Sequence, residues 1–384
     1  MNSSIHTFTY SITCPDKIYN QIYYSLDGLC KQKHSNLHHK EAKKCLSNNS
    51  YIKRTYYTHI LQDQGINNIL LIKLETSDGM TVKNTLQLLI NPNKLSGERI
   101  HSYTHIIDSS KLSEIPCLIK NLFSQILPEI DFSSLTENGK YNRIDYCMNF
   151  WFESQEEAKE YMKLLKKAQI PSGLTPLTFR DTKQHRNIPG KHDITLKCKS
   201  YELSMYLKQT QMKSKKTKYK YPQEEIENAY GQLRIELRTS RRKLYHEKKS
   251  NHCSEDELIT NPDKISMKTF CRKLYKMYGS GDFYRFRDAY LIIENSHYQN
   301  RVKEEMLNIL SAVSRKRSLD PSQNQLDRKY IKKYLPYFND IDLSPITIPE
   351  KSLHDYYPNP YKYMAGLSAI YIKRSDITLR EDAD

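Results

Sequence analysis

Arg143-Ile-Asp-Tyr-Cys-Met-Asn-Phe150 alternates without a break. In an extended chain Arg143, Asp145, Cys147 and Asn149 fall on one side, with Ile144, Tyr146, Met148 and Phe150 on the other. Gln232-Leu-Arg-Ile-Glu-Leu-Arg238 repeats the pattern, setting Gln232, Arg234, Glu236 and Arg238 against Leu233, Ile235 and Leu237. Arg-Ile-Asp and Arg-Ile-Glu are two copies of one device: a strand with an apolar face for a core and a polar face carrying a cation and a carboxylate.

Outward from this pair, β-branched and aromatic residues mark further strands at 5–13, 51–62, 68–75 and 86–90, the last followed by a turn at Asn91-Pro92-Asn93. Two more are expected, one at 193–208 with a bend or turn inside it and one at 231–239. Ile115, Leu118, Ile119, Leu122 and Ile126 keep a helical period that Pro128 closes. Ser154 and Glu157 are spaced as a capping box for a helix whose stripe is Ala158, Tyr161, Met162 and Leu165. From about residue 254 helices take over, at 266–278 with Ser266 as cap, 301–313 and 322–335. The fold class expected is α+β. A mixed or antiparallel sheet with flanking helices occupies 1–250, a smaller helical domain 251–343, and an extended tail that wraps the surface 344–384.

Composition excludes several classes of function. The 384 residues carry 60 Lys+Arg against 44 Asp+Glu, a net charge of +16, which favours a polyanionic partner. No Gly-Lys-Ser/Thr occurs, and Gly279-Ser-Gly281 lacks the third glycine of a dinucleotide fingerprint, so P-loop and Rossmann chemistry are out. The longest aliphatic run, Ile69-Leu-Leu-Ile72, is far short of the ~18–20 residues of a membrane span. The opening MNSSIHTFTYSIT reads as a strand rather than a leader, and a cytoplasmic protein is expected. Eight scattered cysteines never form CxxC and read as reduced core thiols. No His-hydrophobic-His triplet exists. His101 and His105 could share a metal only on a helix, and HSYTHII reads as strand.

Two readings of the polar faces stand side by side. In one, the cations and carboxylates of the two motifs form two cross-strand ion pairs on a solvated sheet face. In the other, Asp145 and Glu236 converge on a hard divalent cation, Mg²⁺ or Mn²⁺, and the arginines hold phosphate oxygens. Between the two strands lies Glu202-Leu-Ser-Met-Tyr-Leu-Lys208, in which Ser204, Tyr206 and Lys208 share a face. A tyrosine two residues before a lysine can attack phosphorus, because the cation favours the phenolate and a metal polarises the phosphate. Set against this, Tyr206 is one of thirty tyrosines. Tyr201 falls on the opposite face, which argues against a paired-tyrosine site.

Basic charge follows these strands directly. KQTQMKSKKTKYKY (208–221) holds six lysines and two tyrosines with no acid, including Lys213, Lys215, Lys216, Lys218 and Lys220. RTSRRKLYHEKK (238–249) adds Arg238, Arg241, Arg242 and Lys243. A charge run is often only a solvated face. Interleaved with tyrosine beside phosphate chemistry, it suits a DNA backbone.

The order RIDYC (143–147), MYLK (205–208), LRIELR (233–238) resembles the gene II replication initiators of filamentous phages and their plasmid and prophage relatives. NPNKLSG (91–97) and SPITIPEKSLHDYYPNPYKYM (344–364) extend the likeness, while the first 80 residues match only as alternating strands. The resemblance implies a rolling-circle nickase in which Tyr206 attacks the phosphodiester, leaving a 5′-phosphotyrosine and a free 3′-OH. Asp145 and Glu236 would be its metal carboxylates, and Arg143, Arg234 and Lys208 would stabilise charge on phosphate or phenolate. Partners implied are origin DNA, as duplex and displaced single strand, and the helicase and polymerase of a bacterial host. The helical region at 254–338, with its Arg315-Lys316-Arg317 bend, could read the duplex or simply pack. Rival readings are an origin-binding copy-control protein without nickase activity and a strand-transfer protein of a mobile element.

Overall fold

The computed structural model describes residues 4–32, 39–46, 50–98, 102–126, 135–181, 186–189, 193–214, 221–262, 268–352 and 354–364. The fold is α+β. Its strands are β1 (Ser4–Cys14), β2 (His39–Leu46), β3 (Ser50–Leu61), β4 (Ile66–Thr76), β5 (Thr81–Ile90), β6 (Lys140–Trp151), β7 (Thr175–Pro176), β8 (Thr178–Asp181), β9 (Arg186–Pro189), β10 (Asp193–Lys197), β11 (Tyr201–Leu207), β12 (Gln232–Ser240), β13 (Phe283–Tyr284) and β14 (Tyr356–Tyr357). The helices used below are α1 (Asp16–Gln32), α2 (Pro92–Leu95), α3 (Ile115–Ile126), α4 (Gln155–Leu165), α5 (Lys208–Met212), α6 (Arg241–Ser250), α7 (Lys268–Tyr278), α8 (Phe286–Glu294), α9 (Asn300–Lys316), α10 (Pro321–Asn324) and α11 (Arg328–Asp340).

Two compact units emerge: Ser4–Cys147 with Arg238–Ile265, and Met148–Leu237 with Ser266–Asp384 and Met1–Ser3. Their limits fall inside β6 and β12, so neither unit coincides with a linear break near residue 250.

In the first unit β2, β3, β4 and β5 form an antiparallel meander, and β1 pairs antiparallel with both β5 and β6. Helix α1, absent from the sequence expectations, buries Tyr19, Ile22, Leu26 and Cys30 along one stripe. The expected turn at Asn91 is the cap of a helix: the Asn91 side chain accepts from Asn93 N at 3.0 Å and Lys94 N at 3.4 Å, and Pro92 opens α2. The stretch expected as strand at 101–107 is turn and bend over 102–105 and irregular at 106–107; His101 lies outside the described residues.

In the second unit β12 lies beside β11, which pairs antiparallel with β10, and β10 with β7. Helix α4 starts where the capping box placed it. Ser154 accepts from Glu157 N at 3.1 Å, and the Glu157 carboxylate accepts from Glu153 N at 3.1 Å. On its inner stripe Tyr161 meets Phe150, Phe152, Phe283 and Tyr357, with ring centroids 5.1–6.4 Å apart. Helix α7 closes over β11: Tyr278 Oη donates to Leu165 O at 3.0 Å and approaches Met205 Sδ at 3.3 Å. Ser266, expected to cap α7, lies outside the described residues. Helix α9 ends on Arg317 in the left-handed region (φ 54°), and Ser318, Leu319 and Asp320 after it are buried. Leu319 N donates to Lys167 O at 2.7 Å, so the bend is packed against the end of α4.

The segment 344–364 departs from the expected surface tail. Ser344, Ile346, Thr347, Ile348, Tyr357 and Asn359 are all buried. β14 pairs with β13, and Asn359 Nδ2 donates to Gly281 O at 2.8 Å. Frequent proline keeps regular structure short here, with only β14 and one helical turn and a half at Pro360–Met364, but does not prevent burial: Asn359 bonds to the loop at Gly281–Asp282. Residues 365–384 lie outside the described residues.

Gly231 sets the start of β12. Its φ is +67°, and a Cβ there would sit 2.3 Å from Phe152 O. Phe152 N donates to Gly231 O at 3.0 Å, and Gly231 N donates to Gln155 at 3.0 Å. Gly231→Ala is expected to cost about 1–3 kcal/mol from the backbone alone, with the clash in addition. Chemical denaturation should show a lowered midpoint, while alanine at Gly173, whose added Cβ meets nothing, brings only the backbone cost.

Candidate active site

The expected polar faces of β6 and β12 are polar but not solvated. From Ile144 to Phe150, and from Gln232 to Leu237, every residue is buried. A charged group in such a position needs partners, and each one has them. Arg234, fully buried, donates from Nε to Asn149 Oδ1 at 2.8 Å. Arg234 and Glu236 stand two residues apart on β12, and the Nε of Arg234 is held across the strands by Asn149.

Tyr206 and Glu236 come together. On β11, Leu203, Met205 and Leu207 are buried and alternate with half-buried Ser204 and Tyr206. This places the phenol on the face opposite the core of that strand. Its Oη donates to Glu236 Oε2 at 2.9 Å, and Glu236 is only 4% exposed. A carboxylate in that position is a proton acceptor for a phenol that attacks an electrophile. Cross-strand pairing sets Asp193 of β10 directly opposite Tyr206. Side chains so paired share a face, so a second carboxylate flanks the tyrosine. Asp193 was missed from the sequence. Its only signal was position: it opens the strand Asp-Ile-Thr-Leu-Lys, whose register depends on the bend at 198–200.

Lys208 departs from expectation. β11 stops at Leu207, and Lys208 begins α5, so strand alternation no longer sets its direction. It is 2% exposed, with Nζ 5.7 Å from the Tyr221 ring centroid. Tyr201 stands apart from Tyr206 as its parity required: the Lys273 ammonium lies 5.1 Å from its ring, and burial first, then the Cys198 thiol, pushes its pKa up to about 12.

Asp145 belongs to the first unit and has its own partners. Arg143 donates from Nε to Oδ1 at 2.9 Å and from Nη2 to Oδ2 at 2.7 Å. Arg238 Nε reaches Oδ1 at 3.2 Å, and the Thr7 hydroxyl donates to Oδ2 at 2.7 Å. With four donors on two oxygens, Asp145 does not fit the role of a metal ligand. Among the described residues no group of three or more His, Cys, Asp or Glu is placed to hold a metal ion. Glu236 and Asp193, beside Tyr206, suit Mg²⁺ or Mn²⁺ better, because those ions take one or two protein carboxylates and complete their shells with water and substrate phosphate.

The basic runs divide. Arg241 pairs with Glu255 and donates to Tyr141 O at 3.0 Å, and Lys243 pairs with Glu247. Their charge is offset by carboxylates that the linear sequence did not associate with them. Arg242 and Lys213 are exposed. Lys215, Lys216, Lys218 and Lys220 lie outside the described residues. No helix among the described residues is long and apolar enough to cross a membrane.

No protein-family model and no curated protein matches this chain. Among solved structures it is similar to a rolling circle replication initiator protein from Geobacillus stearothermophilus. The TM-score is 0.30 at 9% identity, covering 71% of this chain and 84% of that one.

The Arg234–Asn149 contact makes a prediction about stability. Asn149→Leu takes a carbonyl acceptor from a buried guanidinium and should cost about 1–3 kcal/mol. Arg234→Leu in the same chain should recover part of that loss, because replacing both partners leaves no buried polar group wanting. A double-mutant cycle in urea that finds the two substitutions strictly additive would show that the contact contributes nothing.

Proposed function

We propose that this chain initiates rolling-circle replication by nicking one DNA strand through a tyrosine nucleophile. The observation that carries the reading is the Tyr206 hydroxyl hydrogen-bonded to buried Glu236 at 2.9 Å. The order of motifs around it supports the same reading.

The step balances without ATP. The Tyr206 oxygen attacks phosphorus as its proton passes to the Glu236 carboxylate. The P–O3′ bond breaks, and the departing oxygen takes a proton to become a 3′-OH. The products are a 5′-phosphotyrosine and a primer end for a host polymerase, with a host helicase opening the duplex ahead of it. Because one phosphodiester is exchanged for another, the reverse step rejoins ends at the same site. A divalent cation held by Glu236 and Asp193 would polarise the scissile phosphate. Glu236, at the base of the site, also fixes the phenol in its attacking direction. The activity belongs to the cytoplasm of a bacterial host, where such a replicon is copied.

Incubation of the protein with supercoiled DNA bearing its origin and Mg²⁺ or Mn²⁺ should give open circles and a covalent protein–DNA band. Tyr206→Phe should abolish both while leaving DNA binding intact. Glu236→Gln should slow the chemical step by about 10²–10⁴-fold, the usual contribution of a positioned base. Asp193→Asn should weaken the response to metal, and chelation should stop cleavage. If Tyr206→Phe nicks as well as the unaltered protein, the nucleophile is another residue. If nothing nicks but origin DNA is bound, the protein is a copy-control binder.

A further inference from the structure

A cleft of about 800 Å³ opens beside the C-terminal ends of α4 and α9, within the second unit. α4 brings Leu164 and, just past its end, Lys167; α9 brings Ser314 and its cap Arg317. Phe286 at the start of α8 and Ile348 of the buried 344–364 segment form apolar walls. Tyr206, Glu236 and Asp193 do not line it.

Two cations meet there without an anion between them. The Lys167 ammonium has three donors, and Thr347 O takes one at 2.6 Å. Among the described residues neither Lys167 nor Arg317 forms an ion pair. The carboxylates of the cleft lie elsewhere: Glu160 accepts from Tyr357 Oη at 3.0 Å, Glu156 holds Lys159 at 3.3 Å, and Glu350 is exposed. Burial first, then the Arg317 guanidinium, lowers the Lys167 pKa to about 8. A helix C-terminus favours a cation near its last carbonyls. That preference does not account for two cations that repel each other in one cleft.

Arg317 is held there against backbone preference. It lies in the left-handed region, φ 54° and ψ 35°, where glycine or asparagine normally ends a helix. Leu319 N, two residues on, donates to Lys167 O at 2.7 Å. This bond ties the left-handed turn to the backbone of Lys167, so both side chains leave adjoining stretches of chain. Ser314, one turn before Arg317 on the same face of α9, adds a hydroxyl.

We propose that this cleft is a nucleotide site: Lys167 and Arg317 bind a phosphate group, and Leu164, Phe286 and Ile348 receive the nucleoside attached to it. A planar guanidinium and a compact ammonium are both phosphate binders, and the volume is that of a small-molecule pocket. A free nucleotide and the 5′-phosphorylated end of a DNA strand present the same chemistry. The site does not rest on the nicking reading, because neither the nucleophile nor its carboxylates line it.

Protonation gives binding a direction with pH. Phosphate holds the proton on Lys167, so affinity is full below about pH 8 and falls above it, as the unliganded amine deprotonates. The other charged groups of the cleft are Glu156, Glu160, Lys163 and Lys166 from the α4 side, Arg317 from α9 and Glu350 from the 344–364 segment; α8 adds only Phe286. Burial also lowers Lys166, so the variant Lys167→Arg, rather than the pH profile alone, assigns the fall.

Equilibrium dialysis of the full chain against labelled dTTP, in chelator, tests the free nucleotide. Labelled pentathymidylate with and without a 5′-phosphate tests the strand end, and only the difference between the two counts. Arg317→Gly should weaken the responding probe about tenfold or more and yet raise the thermal midpoint, because glycine relieves the left-handed turn. A purely structural Arg317 would lower that midpoint. Lys167→Ala should bind about tenfold more weakly. Lys167→Arg should keep its affinity between about pH 7 and 9, where the unaltered protein loses several-fold. Lys316→Ala, at an exposed neighbour outside the cleft, should change nothing. Binding of neither probe overturns the site, as does undiminished binding by Arg317→Gly. An equal loss in Lys316→Ala also overturns it, since binding would then follow net charge alone. Should Lys167→Ala fail to fold, Arg317→Gly decides. A response to dTTP identifies a free nucleotide as the ligand, and a response to the 5′-phosphate alone identifies a strand end.

Discussion

A charge taken out of water into a sheet survives only where opposite charge or hydrogen-bond partners are delivered to it. β6 and β12 carry Asp145, Arg234 and Glu236 at 1%, 0% and 4% exposure, and the surrounding structure answers each one. Asn149 faces Arg234, Tyr206 faces Glu236, and Thr7 with two arginines faces Asp145. Breaking any of these leaves an uncompensated buried group, a larger cost than the pair's own net worth. The strands' register is therefore fixed by polar as well as apolar side chains. A slip of one residue would place each charge among leucines and isoleucines.

Much of the scaffold was legible from alternation and period. β1, β3, β4, β6, β10, β11 and β12 and helices α3, α4, α7 and α9 all lie where their patterns put them, within a few residues. α1 was not legible: its apolar stripe of Tyr19, Ile22, Leu26 and Cys30 is diluted by tyrosine and cysteine, so no aliphatic run announces it. The 344–364 segment was misjudged for a different reason. Its prolines deny it long helix and long strand, yet irregular backbone can be buried when loops such as Gly279–Asp282 supply the hydrogen bonds.

At the site, alternation told correctly which side chains share a face but not which of them pair. Tyr206 and Glu236 lie thirty positions apart in the chain and meet because β11 and β12 are neighbours, a tertiary fact. Asp193 enters through register. Lys208 leaves through termination, since a strand's parity has no authority one residue past its end. Asp145 shows the converse: its motif was legible, but its partner Thr7 comes from a strand 138 positions earlier.

Net charge can now be apportioned. Of the basic residues after β12, Arg241, Lys243 and Lys248 sit on Glu255 and Glu247, so their fields are local and short in range. They stabilise the α6 region rather than attract a polyanion. Arg143 and Arg238 are answered from different strands by one carboxylate, Asp145, which lies almost wholly buried beneath them. That sharing ties the first half of β6 to the end of β12: displacing either strand by one residue would pull a guanidinium off an anion that has no water to fall back on. The same basic residues that raise the net charge of the chain are thus partly spent on holding its strands in register.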